Sequence, residues 1–310
     1  MEKIYDLIIV GGGPAGAAAG VYAARKRLNT LLITGEFGGQ STVSADIQNW
    51  IGTVSISGEK LATDLRAHLE AYKGDILEIR GGELATKAVK EGDLVVVTTE
   101  KGSYKAKSLL IASGSHHRKL EIPGADMYEH KGITYCASCD GPLFSDMDVV
   151  VIGGGNAAFE TSAQLLAYCK SVTLLNRSNH FRADPITVEK ILAKPTMKVV
   201  KNIELLEVKG SNFASSIVFK DKATGETTEL PTGGIFVEIG QLPNTEFVKD
   251  LVKLTPANQI IIDPRTQKTS VPRVWAAGDC TDVLYHQNNI AAGDAVRALE
   301  DIYQAVHGGK

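Results

Sequence analysis

Two glycine-rich turns constrain this chain more than any other feature in it. The first follows a short apolar run, Asp6-Leu7-Ile8-Ile9-Val10, and reads Gly11-x-Gly13-x-x-Gly16. The second follows Asp148-Val149-Val150-Val151-Ile152 and reads Gly153-x-Gly155-x-x-Ala158. A short, continuous apolar run is the mark of a strand buried on both faces of a parallel sheet. In this pattern the first glycine permits a tight turn and the second lets a pyrophosphate approach the backbone. The third position allows close helix packing, and the helix N-terminus attracts the phosphate charge. Pro14 suits the first turn of a helix, Ala15 to Arg27 is Ala-rich and helical, and Thr30 to Ile33 reads as the next strand. Glu36, about 20 residues beyond the turn, is a candidate ribose ligand.

The second turn is followed by the same events, a helix over Ala157–Cys169 and a strand over Val172–Leu175. A spacing of about 140 residues marks internal duplication of a whole nucleotide-binding unit. β-rich pieces close each copy: Leu94-Val95-Val96-Val97-Thr98 and Leu109-Leu110-Ile111 in the first, Ser216–Phe219 and Gly234–Val237 in the second. Between them Ile56 to Tyr72 carries Leu61, Leu65 and Leu69 at helical spacing. The tail returns to an apolar strand, Val274-Trp275-Ala276-Ala277, that stops on Gly278-Asp279 and sets a carboxylate at a strand's carboxyl edge, where α/β folds bind ligands. Ala291 to Val306 reads as a closing helix. The expected fold is therefore α/β, with two Rossmann-like dinucleotide-binding domains, the second inserted in the first, each with a small β-meander. The outer domain is expected over 1–115 and 245–310 and the inserted one over 116–244, with crossovers near residue 115 and near Leu242-Pro243-Asn244.

Cys136-Ala137-Ser138-Cys139-Asp140-Gly141 supplies the chemistry. A Cys-x-x-Cys pair cycles between dithiol and disulfide with little backbone movement, and its surroundings set the fraction of reactive thiolate. Two nucleotide sites and one redox dithiol suggest an electron path from nicotinamide to flavin to disulfide. A zinc site would need two further ligands, and there is no second Cys-x-x-Cys. The adjacent side chains of His116-His117 diverge, so a polar linker is expected there and no metal. Cys169 and Cys280 are expected to be packing residues. Net charge is −3, which does not advertise nucleic acid or an anionic membrane as a partner. The apolar stretch from Ile4 to Ala24 imitates a signal peptide, but its glycines interrupt it and a strand–turn–helix accounts for it better. Four cysteines do not make a secreted disulfide framework, so a cytoplasmic location is expected.

These motifs resemble those of the low-molecular-weight thioredoxin reductases over essentially the whole chain. The matching pieces are Gly11 to Gly16, Thr34-Gly35-Glu36 through Gly38-Gly39-Gln40, and Cys136 to Gly141. Gly153 to Ala157, Gly240 with Pro243-Asn244, and Ala277-Gly278-Asp279 complete them. Cys139-Asp140-Gly141-Pro142-Leu143-Phe144 and Gln48-Asn49-Trp50 also resemble the flavoprotein component of alkyl hydroperoxide reductase. That relative carries an extra N-terminal thioredoxin-like region, which is not expected here because the first fingerprint starts at residue 11.

The resemblance implies FAD on the first unit, a nicotinamide dinucleotide on the second, and a homodimer. It implies FAD contacts at Gly11, Gly13, Pro14, Ala15, Gly16, Thr34, Gly35, Glu36, Gly38, Gly39, Gln40, Asn49, Ala112, Gly114, Gly278, Asp279, Gln287 and Asn288. It implies nicotinamide-dinucleotide contacts at Gly153, Gly155, Asn156, Ala157, Arg177, Ser178, Arg182 and Gly240. Cys139 corresponds to the thiol facing the flavin, Cys136 to the one that attacks the partner's disulfide, and Asp140 to the proton donor and acceptor. In the family the inserted domain swings about its two crossovers. The partner so implied is a thioredoxin-like redox protein; a glutaredoxin-like protein or a peroxiredoxin-system carrier presents a similar disulfide.

The strand after the second fingerprint ends Leu174-Leu175-Asn176-Arg177-Ser178, with Arg182 beyond. NAD sites favour a carboxylate there and NADP sites arginine. With no carboxylate and two arginines the expectation is NADPH, with NADH still possible, and the Ser178 hydroxyl is expected to donate one bond to the phosphate. Tyr285-His286-Gln287-Asn288 departs from the family's Arg-Gln-Ala, with His286 in the arginine's place and Asn288 in that of the small residue. The alternative within the same fold is a dithiol oxidase, or a relative fed by NADH or ferredoxin.

Overall fold

The strand Leu7–Val10 is buried at every residue and lies at the centre of a five-stranded parallel sheet. Its order is Val274–Ala276, Leu109–Ile111, Leu7–Val10, Thr30–Thr34, Leu77–Gly81. Successive side chains on a strand point to opposite faces. Leu7 and Ile9 accordingly pack with Ala15, Ala19 and Ala23 of the helix Pro14–Arg25 and with Ala295 and Leu299 of the helix Asn288–His307. Ile8 and Val10 pack on the other face with Val95 and Val97 of an antiparallel meander over residues 85–106. The computed structural model describes residues 3–44 and 46–308.

The second copy has the same layers. Its five-stranded parallel sheet runs Ile133–Thr134, Gly234–Val237, Asp148–Ile152, Ser171–Asn176, Met197–Lys201. Val149 and Val151 face Phe159 and Leu165 of the helix Asn156–Leu165, while Val150 and Ile152 face Ile217 and Phe219 of a three-stranded antiparallel meander. By contacts the chain divides into Met1–Val43, Trp50–His116 and Leu242–Lys310 on one side, and Ser44–Asn49 and His117–Gln241 on the other. The stretch 44–49 thus groups with the second unit, away from its neighbours in sequence. The two connecting stretches, Ser115–His117 and Gln241–Pro243, pair as a short two-stranded ribbon, where the sequence alone suggests unstructured crossovers. The helix expected to reach Cys169 stops at Leu165, and Leu77–Gly81 and Gly234–Val237 join the parallel sheets. Among the described residues no helix is long and apolar enough to cross a membrane.

Each sheet reverses its strand order beside its fingerprint strand, and there the backbone is crowded. Gly11 (φ +124°) donates its N–H to the Ile33 carbonyl at 2.8 Å, and Gly153 (φ +154°) donates to Leu175 at 3.1 Å. A Cβ at Gly11 would lie 2.0 Å from the Ala112 carbonyl oxygen, and one at Gly153 would lie 2.5 Å from that of Glu238. Only glycine tolerates that backbone and that approach together. At Gly155, by contrast, a Cβ would meet nothing within 4 Å. Gly11→Ala is therefore expected to lower stability by about 1–3 kcal/mol. Gly155→Ala should stay within about 0.5 kcal/mol of the parent. Denaturant midpoints check both, and equal losses in the two variants would refute the crowding argument.

Candidate active site

The strand Ile133–Thr134 leads into Cys136, which caps the short helix Ala137–Asp140 in an extended backbone. Cys136 and Cys139 form a disulfide with their Cα atoms 5.3 Å apart. The Cys136 sulfur accepts the Cys139 N–H at 3.1 Å. Asp140 donates its N–H to the Cys136 carbonyl at 3.0 Å, and its carboxylate accepts a bond from the Thr134 hydroxyl. Burial pushes the Asp140 carboxyl above the ordinary carboxylate range, while the Thr134 bond and positive charge on His130 pull it back. Ser138 ties the turn to the helix Asn156–Leu165 through the Gln164 side chain at 3.1 Å. The three residues expected to do chemistry are thus together and half-buried at the carboxyl end of a strand. Thr134, which holds the acid, carries no motif, and no sequence signal points to it.

In the first unit the expected cofactor residues gather at the carboxyl edge of its sheet. Gly11 to Gly16 form the turn and the helix start, and Ala112 follows the neighbouring strand, its N–H on the Val10 carbonyl at 2.8 Å. The Thr34 hydroxyl donates to the Glu36 carbonyl, and the Gly38 N–H reaches Gly12 at 2.9 Å, folding Gly35 to Gln40 back over the turn. Gln40 donates to the Ser115 carbonyl, just past Gly114, and Asn288 accepts from the Ser41 hydroxyl at 2.9 Å. Gln287 caps the helix that Asn288 begins. Asp279 follows Gly278 beyond the Val274–Ala276 strand; burial raises its carboxyl, and charge on His286 opposes that. The Glu36 side chain is exposed. Asn49 is the exception: it lies in the stretch that groups with the second unit.

In the second unit Gly153, Gly155, Asn156 and Ala157 make the corresponding turn, and the Asn156 side chain accepts the Asp184 N–H at 2.8 Å. The loop after the Ser171–Asn176 strand is closed by the buried Asn176, whose amide donates to the carbonyls of Ser178 and His180, both at 2.9 Å. The Arg182 N–H binds the Gly154 carbonyl at 2.7 Å. Arg177 and Arg182 are exposed on this frame. The Ser178 hydroxyl, expected to be free for a phosphate, instead donates to the His180 carbonyl at 2.7 Å, because the loop turns back upon it. Lys222 supplies a third cation that no sequence motif reveals, its ammonium on the Arg177 carbonyl at 2.8 Å, brought in from the distant meander turn. Gly240 accepts the Arg118 N–H at 2.9 Å at the exit from the sheet.

Both turns suit a dinucleotide. Gly13 and Gly155 cap their helices with no side chain on the open N–H groups, and above Gly13 the nearest atom to a built Cβ is the Gly39 Cα at 4.0 Å. That leaves room for phosphate at each helix start. Cys169 and Cys280 are buried free thiols, each pushed up to about 11 by burial.

Comparison with known proteins adds to this geometry. An alkyl hydroperoxide reductase component of Pseudomonas putida is 40% identical over 298 residues, which cover 96% of this chain and 57% of that one. A Bacillus subtilis protein named NADH dehydrogenase is 36% identical over 298 residues, covering 96% and 58%. The chain thus spans little more than half the length of these relatives. Thioredoxin reductase from Streptococcus pyogenes MGAS5005 superposes with a TM-score of 0.91 at 34% identity, covering 99% of this chain and 100% of that one. The enzyme from Giardia duodenalis gives 0.90 at 31%, covering 98% and 100%. Residues 5–309 match the pyridine nucleotide-disulphide oxidoreductases, and this chain belongs to that family: an oxidoreductase with a redox disulfide, whose membership implies a flavin and a pyridine nucleotide.

Proposed function

We propose that this chain is a cytoplasmic, homodimeric flavoprotein that uses NADPH to reduce a disulfide on a thioredoxin-like protein through Cys136 and Cys139. The observation that carries the reading is the half-buried disulfide, with its own proton-holding acid, in the same unit as a dinucleotide turn. FAD would be held by Gly11 to Gly16, Thr34 to Gln40, Ala112, Gly114, Gly278, Asp279, Gln287 and Asn288. Asn49, in the stretch that groups with the second unit, is the remaining contact that the resemblance implies. Gly153 to Ala157 and Gly240 would hold the nicotinamide dinucleotide, with Arg177, Arg182 and Lys222 at its 2′-phosphate. A bound flavin supplies two-electron transfer between nicotinamide and disulfide.

Opening the disulfide with two electrons and one proton leaves one thiol and one thiolate. The Cys139 N–H directed at Cys136 favours the thiolate at Cys136. That thiolate attacks one sulfur of the partner's disulfide, forming a Cys136–partner bond as the partner's other sulfur leaves with its electron pair. Asp140, which keeps its proton above the usual carboxylate range, protonates the leaving sulfur. Cys139 then gives its proton back to Asp140 and attacks the Cys136 sulfur; the Cys136–partner bond breaks, the partner's sulfur leaves with the electron pair, and the intramolecular disulfide is restored.

Two observations favour a second reading, an NADH-fed donor to a peroxide-reducing partner. The Ser178 hydroxyl is engaged within its loop, and the relatives include a protein named NADH dehydrogenase and components of alkyl hydroperoxide reductase. Anaerobic titration with NADPH and NADH, followed by thioredoxin and peroxiredoxin-type carriers, separates the two. A purified protein that is colourless and refuses FAD would sink both.

Cys139→Ser should keep the loss of flavin absorbance on adding nicotinamide while disulfide reduction falls at least about 100-fold. Full reduction by that variant would take the pair off the electron path. Asp140→Asn is expected to slow turnover about 100-fold, with dinucleotide affinity unchanged. Arg177→Ala should raise KM for NADPH about tenfold and leave that for NADH alone. Equal effects on the two cofactors would remove Arg177 from the phosphate.

A further inference from the structure

Glu238 holds in the second copy the place that Ala112 holds in the first. Each follows the strand that enters beside the fingerprint strand, and each donates its N–H to the last residue of that strand. Ala112 bonds Val10 and Glu238 bonds Ile152, both at 2.8 Å. Each sets its carbonyl behind the first fingerprint glycine. The helix position facing it has changed in parallel. Counted from the first glycine of each turn, buried Ala19 in the first copy corresponds to buried Thr161 in the second. The Thr161 hydroxyl donates to Glu238 Oε1 at 2.6 Å. An apolar pair behind one turn has become a carboxyl–hydroxyl pair behind the other, and the first copy shows that the turn itself does not require it.

A carboxylate there opposes what the turn does for a ligand. The helix start attracts diphosphate, and a negative charge behind it repels. Charged neighbours do not cancel it. Glu160 on the same helix adds repulsion. Arg182 and Arg118 donate their backbone N–H groups to Gly154 and Gly240. Asp140 and His130 flank the neighbouring Ile133–Thr134 strand, where the charge on His130 acts on Asp140. Among the described residues Glu238 is given no cation: its carboxyl accepts from Thr161, and the charge acting on it is that of Glu160. We propose that Glu238 is a binding residue for the pyridine dinucleotide that must hold its proton for the ligand to seat tightly, so that binding takes up a proton at this side chain. The proposal rests on the second turn being the pyridine dinucleotide site.

Burial pushes the Glu238 carboxyl up to about 7, with the Thr161 bond lowering it and Glu160 raising it. The sign follows from linkage. Below that range the carboxyl is already neutral and affinity is greatest; as pH rises through it, the free protein ionises and the ligand must pull a proton back. Calorimetric titration of the flavin-loaded protein with NAD⁺ tests this, since the NAD⁺ diphosphate does not titrate near neutrality. Kd should rise about five- to tenfold between roughly pH 6 and 8.5. Buffers of different ionisation heat should report net proton uptake on binding. Glu238→Gln should give a flat profile with no uptake. Thr161→Val removes a bond that favours the carboxylate, so its rise in Kd should move to higher pH. A Glu238→Gln variant that keeps the parent's slope, or no proton uptake by the parent, overturns the proposal while leaving the dinucleotide site intact. Failure of NAD⁺ and NADP⁺ to bind at any pH overturns that reading and this one together.

Discussion

Backbone contact at the reversal of strand order governs both halves of this molecule. At Gly11 against Ala112, and again at Gly153 against Glu238, two chain segments meet at a distance that excludes any side chain. That approach lets the fingerprint strand, the following helix and the returning strand meet at one sheet edge. At Gly13 and Gly155 no side-chain cap covers the helix start, and among the described residues there is open space around the Cβ positions of both glycines. Phosphate attraction is thus a by-product of a packing constraint. The alternating burial of Leu7 to Val10 and of Val149 to Ile152 holds that edge fixed from both faces.

Around the disulfide the energetics are of a different kind. Asp140 and Glu238 are half-buried carboxyls, largely withdrawn from water, each accepting one threonine hydroxyl and neither in an ion pair among the described residues. One neutral hydrogen bond does not offset the desolvation of a carboxylate, so both hold protons more tightly than surface acids do. The unit carrying the sulfur chemistry therefore has two proton stores above the ordinary carboxylate range, set by burial and moderated by Thr134 and Thr161.

Much of this is legible in the residues themselves. Short apolar runs ending on spaced glycines fix strand, turn and helix locally, and Cys136, Cys139 and Asp140 are adjacent in sequence, so their meeting needs no tertiary knowledge. What escapes a linear reading comes from elsewhere in the chain. Lys222 reaches Arg177 from a meander turn, and Thr161 meets Glu238 across a helix–strand seam, pairings that no local spacing records. Ser178 misleads for a related reason. Its hydroxyl looks available in the sequence, but Asn176 curls the loop so that the His180 carbonyl lies within reach. The sequence also suggests an outer domain continuous through residue 115, whereas 44–49, with buried Ile47, groups with the inserted half.

The sequestration of Cys169 and Cys280 has a practical side. Both are buried, and burial holds their thiols up to about 11, so they stay protonated at neutral pH and compete poorly with the working pair for an electrophile. In the folded protein, uptake of an alkylating label therefore counts open Cys136–Cys139 pairs alone, and the molecule carries its own internal gauge of redox state.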